Sequence, residues 1–171
     1  MARRVFFSFH HQHDSWRVAQ VRNSWLLRKG QTNTFLDAAA WESVQSKGHA
    51  AVKKWIDREL NGTGVTVVLI GRYTAERRYV RYEIEQSCYR GKGLVGIYIH
   101  GVKDRRGRTS RQGRNPLDDV VVTADDPWFG FLGVKSKQPL SDIFKTYDWI
   151  DDGGRENLSD WIEEAARNSG R

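Results

Sequence analysis

The chain has little of several features that would place it in a protein class at once. Its 171 residues include a single cysteine, Cys88, so an internal disulfide cannot form and a cysteine-rich zinc site is excluded. No stretch approaches the roughly 20 apolar residues of a membrane-spanning helix, and the start does not resemble a cleaved signal. No Gly-x-Gly-x-x-Gly motif or P-loop occurs, which disfavours a dinucleotide-binding dehydrogenase and a P-loop enzyme. We therefore expect a cytoplasmic protein with no membrane partner.

The positive charge is concentrated in one segment. The net charge is +7, and residues 103–114 hold six cations against one acid, Asp104, which leaves only +2 for the rest of the chain. The segment has no aromatic side chain on which a base could stack. We interpret this basic loop (residues 101–115) as a solvated, mobile loop. The alternative is that this loop contacts the phosphates of a nucleotide, which we rank above contacts to DNA or RNA.

Strand-like and helix-like stretches alternate along the chain, which predicts an α/β fold with a central parallel sheet flanked by helices. The predicted strands are 5–9, 34–36, 65–70 and 94–99. The helices predicted between these strands include 15–27 and 48–60. Two further helices, 141–149 and 157–166, form a C-terminal closure over about 141–167, the latter capped by Asn157 or Ser159. Residues 116–133 give no clear pattern beyond an irregular edge strand. We expect one domain over 1–171.

The strongest candidate for chemistry is Glu83. Residues 77–84 read Arg-Arg-Tyr-Val-Arg-Tyr-Glu-Ile and place this carboxylate early in a helix that follows the buried strand 65–70. Ligands collect beyond the carboxyl ends of parallel strands, so the start of this helix faces the expected crevice. Helical spacing puts Glu83 on the flank of the core face, partly sheltered. The pattern alone also fits a surface ion pair of Glu83 with Arg78 or Arg90.

Further candidates lie at the ends of the first two predicted strands. These candidate site residues are Ser8, Phe9, His10, Asn33, Asp37 and Trp41. Tyr79, at the start of the Glu83 helix, is a further candidate. Trp41, which we expect with Glu42 in a loop after the second strand, can either stack on a ligand ring or pack at an edge. A metal site at the neighbouring histidines is disfavoured, because adjacent histidines on an extended segment point apart and no carboxylate ligand set accompanies them. Cys88 is interpreted as a small buried residue, with a reactive thiol as the alternative.

Several of these stretches together resemble the TIR-like proteins, in particular those of the bacterial Thoeris antiphage system. The resemblance covers nearly the whole chain and includes residues 4–10, Trp41-Glu42, 65–71, 79–84, 147–153 and Trp161. TIR enzymes commonly have a tryptophan four residues before the catalytic glutamate, and here Tyr79 stands in that place. One aromatic residue thus replaces another.

The resemblance implies a flavodoxin-like TIR domain in which Glu83 cleaves the nicotinamide–ribose bond of NAD. It further implies that ADP-ribose is cyclised into a diffusible nucleotide that activates a partner effector. NAD is then a substrate, no cofactor is needed, and the seven other candidates contact the substrate. One carboxylate suffices, because nicotinamide leaves as a neutral molecule and needs no acid. Two alternatives remain open: a non-catalytic TIR module that assembles with other TIR chains, and a nucleotide binder that uses the basic loop.

Overall fold

A computed structural model describes residues 3–29, 38–126 and 134–171. The strands in these ranges are β1 (Val5–Ser8), β2 (Val65–Ile70), β3 (Gly93–Tyr98), β4 (Val121–Val122), β5 (Gln138–Pro139) and β6 (Thr146–Asp148). Four of them form a parallel sheet in the order β1-β2-β3-β6, while β4 and β5 pair antiparallel beside it. The predicted flavodoxin-like α/β architecture is confirmed.

Helices cover both faces of this sheet. They are α1 (His11–Lys29), α2 (Ala38–Ser46), α3 (His49–Leu60), α4 (Arg78–Tyr89) and α5 (Gly154–Asn168). Side chains alternate along β2, so Val65, Val67 and Leu69 pack with α1 and α5. Val68 and Ile70 point the other way and pack with α4. This two-sided burial explains why β2 is a continuous apolar run rather than an alternating one.

Helix α5 lies directly against the start of β3. A Cβ atom at Gly93 would clash with the carbonyl oxygen of Ala165, at a distance that no side chain allows. Glycine is therefore required here by the close approach of helix and strand. Elsewhere along the described chain, no helix is both long and apolar enough to cross a membrane.

Three local predictions are wrong. The predicted helix 141–149 is a short 3-10 turn, Leu140–Asp142, followed by β6, which pairs with the free edge of β3. Helix α5 begins at Gly154 after Gly153, whose φ of 64° supplies the turn, and no side chain caps it. Trp41 and Glu42 lie in α2 rather than in a loop. The predicted strand 34–36 lies outside the described residues, as do residues 127–133 of the segment 116–133 that gave no clear pattern.

The basic loop is solvated but anchored. Its arginine side chains are exposed, as predicted. Its backbone, however, is folded around Asp104, whose carboxylate accepts hydrogen bonds from the amides of Arg106 (2.8 Å) and Arg108 (2.9 Å). The Ser110 amide donates to the His100 carbonyl at 2.9 Å. These hydrogen bonds connect the loop to the carboxyl end of β3, and its mobility stays a prediction.

Candidate active site

Glu83 is a carboxylate in the apolar stripe of α4. Only 2% of the residue is exposed, and its neighbours on this face, Val80, Ile84 and Cys88, are buried with it. The sequence predicted a partly sheltered flank, and the structure buries Glu83 completely. The reason lies in β1, where side-chain alternation turns the small Ser8 towards α4 and leaves room for a carboxylate there.

Ser8 holds this carboxylate in place. The Ser8 hydroxyl donates a hydrogen bond to Glu83 Oε2, and Ser8 is itself fully buried. Among the described residues, no other side chain bonds to the Glu83 carboxylate, while the Ser87 hydroxyl donates to the Glu83 backbone carbonyl at 2.6 Å. The surface ion pair that the sequence left open does not form. Arg78 donates to the Tyr79 hydroxyl at 3.0 Å, and Arg90 pairs with Asp57 at 2.8 Å.

Burial without a cation changes the acidity of this group. Removal from water raises the pKa of Glu83 from 4.5 to about 8, and the hydrogen bond from Ser8 opposes this only in part. The side chain therefore keeps its proton at neutral pH in the ligand-free protein. A carboxyl group whose pKa lies near the working pH of a cell is typical of a functional site.

The Glu83 cleft gathers most of the residues that the sequence singled out. It is lined by Phe9, His10, His11, Gln12, Trp41, Gln45, Arg77, Tyr79, Val80 and Glu83. Five predicted site residues thus meet in one cleft. Ser8 does not line the cleft but bonds to Glu83. Asn33 and Asp37 lie outside the described residues. The sequence analysis did not select four other lining residues, His11, Gln12, Gln45 and Arg77. Of these, Arg77 was the easiest to find from the sequence, because it directly precedes the Glu83 helix.

Aromatic packing closes one side of the Glu83 cleft. The rings of His11 and Trp41 are stacked, with centroids 4.2 Å apart and planes 8° apart. The edges of Trp55 and Tyr79 approach Trp41 at 5.5 Å and 5.9 Å, and Trp41 is 5% exposed. The packing alternative therefore describes Trp41 in this structure. The cleft encloses only about 20 Å³, room for about one water molecule.

The histidines in the cleft are neutral near pH 7. Burial, followed by the nearby His10 and Arg22, lowers the pKa of His11 to about 3. Burial and then Arg77 lower the pKa of His10. Arg77 is thus the fixed cation in the lining of the cleft. In the described ranges, no three His, Cys, Asp or Glu side chains cluster as a metal site would need.

A second, open cleft lies across the β1–α1 turn. His13 lines it, whereas His10 lines the Glu83 cleft, so the two concavities share this turn. The second cleft has a volume of about 590 Å³ and is lined by Arg17, Arg72, Arg108 and Arg111 with Asp104. Arg108 and Arg111 are the arginines of the basic loop that line this cleft.

Two comparisons with known proteins bear on this geometry. The family described as Thoeris protein ThsB, TIR-like domain, matches residues 6–104, a range that contains Ser8, the Glu83 cleft, β2, β3 and all of β1 except Val5. The chain is also 35% identical to a protein of Bacillus cereus (strain MSX-D12) named "Putative cyclic ADP-D-ribose synthase ThsB1". That similarity covers 95% of this chain and 100% of the Bacillus protein.

Proposed function

The chain belongs to the Thoeris ThsB TIR-like family, and we propose that it cleaves the nicotinamide–ribose bond of NAD and cyclises the remaining ADP-ribose. The observation that carries this proposal is the buried carboxyl group of Glu83, held by Ser8 in a cleft at the carboxyl end of the sheet. The name of the Bacillus relative supports a cyclic product. The nucleotide would act as a defence signal to a separate effector.

The proposed chemistry uses few groups. As the C1′–N bond breaks, nicotinamide departs with the electron pair as a neutral molecule, and positive charge develops on the ribose ring. The Glu83 carboxylate would stabilise that charge, more strongly in a dry site than in water. A nucleophilic atom of the adenosine half would then attack C1′, and if that atom is a hydroxyl oxygen the Glu83 carboxylate, whose pKa is about 8, would accept its proton. The neutral His10 and His11 suit a step in which no leaving group needs protonation.

The closed cleft supports an enzyme that is silent in its resting state. About 20 Å³ cannot hold a nicotinamide riboside, since small-molecule sites usually measure 300–1,000 Å³. Substrate entry would therefore require the lining side chains to move, among them the stacked His11 and Trp41 rings. Such a rearrangement is where a trigger of the defence response could act.

The raised pKa of Glu83 predicts a specific pH profile. The group acts as a carboxylate, so kcat/KM for NAD cleavage should rise about tenfold per unit from pH 6 to pH 7 and level off above pH 8. Initial rates of nicotinamide release from pH 5.5 to 9.5, corrected for uncatalysed NAD breakdown, measure this. Circular dichroism at each pH controls for unfolding. A profile that is flat between pH 6 and pH 8 would contradict the assignment.

Arg77 is predicted to bind the substrate rather than to take part in bond cleavage. It lines the Glu83 cleft at the start of α4, where a cation can meet the diphosphate of NAD. Arg77→Gln should raise KM about tenfold, equivalent to about 1.4 kcal/mol of binding, and change kcat less than about threefold. The matched control is Arg81→Gln on the same helix, where the arginine pairs with Glu85 at 2.9 Å. An equal change in both variants would refute the specific role of Arg77.

The experiment that tests the function follows metabolites in cells. Cells that express wild type, Glu83→Gln or Glu85→Gln are compared with and without phage challenge, and NAD, nicotinamide and cyclic ADP-ribose isomers are measured by mass spectrometry. We expect NAD loss and a cyclic product in wild type and Glu85→Gln only. If challenged wild-type cells yield neither product nor NAD loss, the non-catalytic TIR interaction module becomes the better explanation.

A further inference from the structure

A third concavity lies at the opposite edge of the sheet from Glu83. It is formed where the chain enters the strands: Arg3 and Arg4 precede β1, and Lys92 precedes β3. Arg90, at the end of α4, and Arg171 complete the set of basic side chains that line it. This amino-end cleft has a volume of about 620 Å³ and no acidic residue in its lining.

Two of the five cations have carboxylate partners. Arg3 pairs with Glu163 at 3.1 Å, and Arg90 pairs with Asp57 at 2.8 Å. The other three, Arg4, Lys92 and Arg171, have no carboxylate within ion-pair distance in the described ranges of the chain. Three basic side chains around one concave surface are thus left without an ion-pair partner among the described residues.

The position of Arg171 is fixed by the backbone. Its guanidinium donates to the carbonyl oxygens of Gly91 at 2.8 Å and of Arg90 at 2.7 Å. Arg4 lies over Gly62, where an added Cβ would stand 2.9 Å from the guanidinium. These contacts place two arginine heads on the walls of the cleft, and arginine is the side chain best suited to contact phosphate oxygens in pairs.

Lys92 is the least expected of the three. It is 5% exposed, and within the described structure its ammonium group bonds only to the Thr63 carbonyl, at 2.5 Å. Buried lysines are rare without a paired acid. Burial and the neighbouring Arg171 and Arg90 lower the pKa of Lys92 to about 8. The helix dipole places only about half a negative charge at the carboxyl end of α4, which is too little to neutralise three cations.

We propose that the amino-end cleft binds a small phosphate-bearing anion with at least two negative charges, held by Lys92, Arg4 and Arg171. A concave site of this size suits a small molecule, whereas nucleic acids are usually bound along extended basic stripes or grooves. The proposal does not depend on NAD cleavage, because the cleft lies at the other end of the strands from Glu83.

Inorganic triphosphate is the probe for this site. Isothermal titration of the full chain at about 50 mM salt should show one saturable site, and thermal unfolding should shift upward with triphosphate. Sulfate at matched ionic strength should give a smaller shift. The double variant Arg4→Gln/Arg171→Gln should weaken triphosphate binding at least tenfold, since it removes two of the three unpaired cations.

Two charge-matched variants make the test decisive. Arg105→Gln/Arg106→Gln, in the basic loop, should keep the affinity within about twofold of wild type. Arg72→Gln/Arg111→Gln, in the cleft beside His13, should do the same. The proposal is overturned if no saturable binding occurs, if all three double variants lose affinity equally, or if only the Arg72/Arg111 variant loses it. It is also overturned if a single-stranded oligonucleotide binds more tightly than triphosphate through Arg4 and Arg171.

Discussion

Replacement of Glu83 by Gln should lower the rate of NAD cleavage by about 10³-fold. The substitution keeps the size of the side chain and its ability to accept the Ser8 hydrogen bond, but it removes the negative charge. Loss of one preorganised group that stabilises transition-state charge typically slows a reaction by about 10²- to 10³-fold. The upper end applies here, because no second carboxylate lines the Glu83 cleft as the structure describes it.

Single-turnover release of nicotinamide from purified protein measures this effect directly. Glu85→Gln is the matched control: it removes the same charge two residues away on the same helix, where Glu85 pairs with the exposed Arg81. It should retain activity within about twofold of wild type. A Glu83→Gln variant that cleaves NAD at a near-wild-type rate would remove Glu83 from the mechanism.

The same substitution should stabilise the folded protein at alkaline pH. The folded-state pKa of Glu83, about 8, lies above the ordinary value of 4.5, so the folded protein holds a proton that the unfolded chain has released. Wild-type stability therefore falls as pH rises from about 4.5 to about 8. At about 1.4 kcal/mol per pKa unit, the ceiling of this loss is about 5 kcal/mol. The amide side chain of the Glu83→Gln variant is neutral at every pH and avoids the loss.

Thermal or urea unfolding of both proteins at pH 5 and pH 8.5 tests this. At pH 8.5 the variant should be more stable by at least about 1 kcal/mol, which corresponds to roughly 2–4 °C in Tm for a chain of this size. At pH 5 the difference should be small. If the two proteins differ equally at both pH values, the carboxyl group is not held protonated by burial. A gain in stability with a loss of activity is the usual mark of a strained functional residue.

The sequence predicts the buried parts of the fold well and the pairing of distant residues poorly. Strand β2 and helix α3 are recovered to within one residue, because a glycine-bracketed apolar run and a clear 3.6-residue period are local signals. The contact of Ser8 with Glu83 joins residues 75 positions apart. This contact depends on the register of β1 against β2 and on how α4 packs over both strands. No local sequence pattern predicts either of these.

The C-terminal errors have the same origin. Tyr147 and Trp149 sit in a stretch whose composition allows a helix, but β3 offers a free edge to which Thr146–Asp148 can pair. The gain from completing the sheet outweighs the local preference. Helix α5 starts early for a related reason, since Gly153 makes a left-handed turn that no side-chain capping signal announces. Tertiary pairing and a glycine turn thus set these boundaries.

The burial of Cys88 makes the folded chain inert to thiol reagents. Cys88 is 6% exposed, and burial, with a smaller contribution from Glu85, raises the pKa of its thiol to about 12, so thiolate is scarce at neutral pH. It is the one cysteine in the sequence and lies on α4, five residues beyond Glu83. Alkylation can therefore occur only when α4 leaves the sheet. Because each chain can be alkylated only once, the rate of labelling would measure how often the helix that carries Glu83 opens, in cell extract as well as in purified protein.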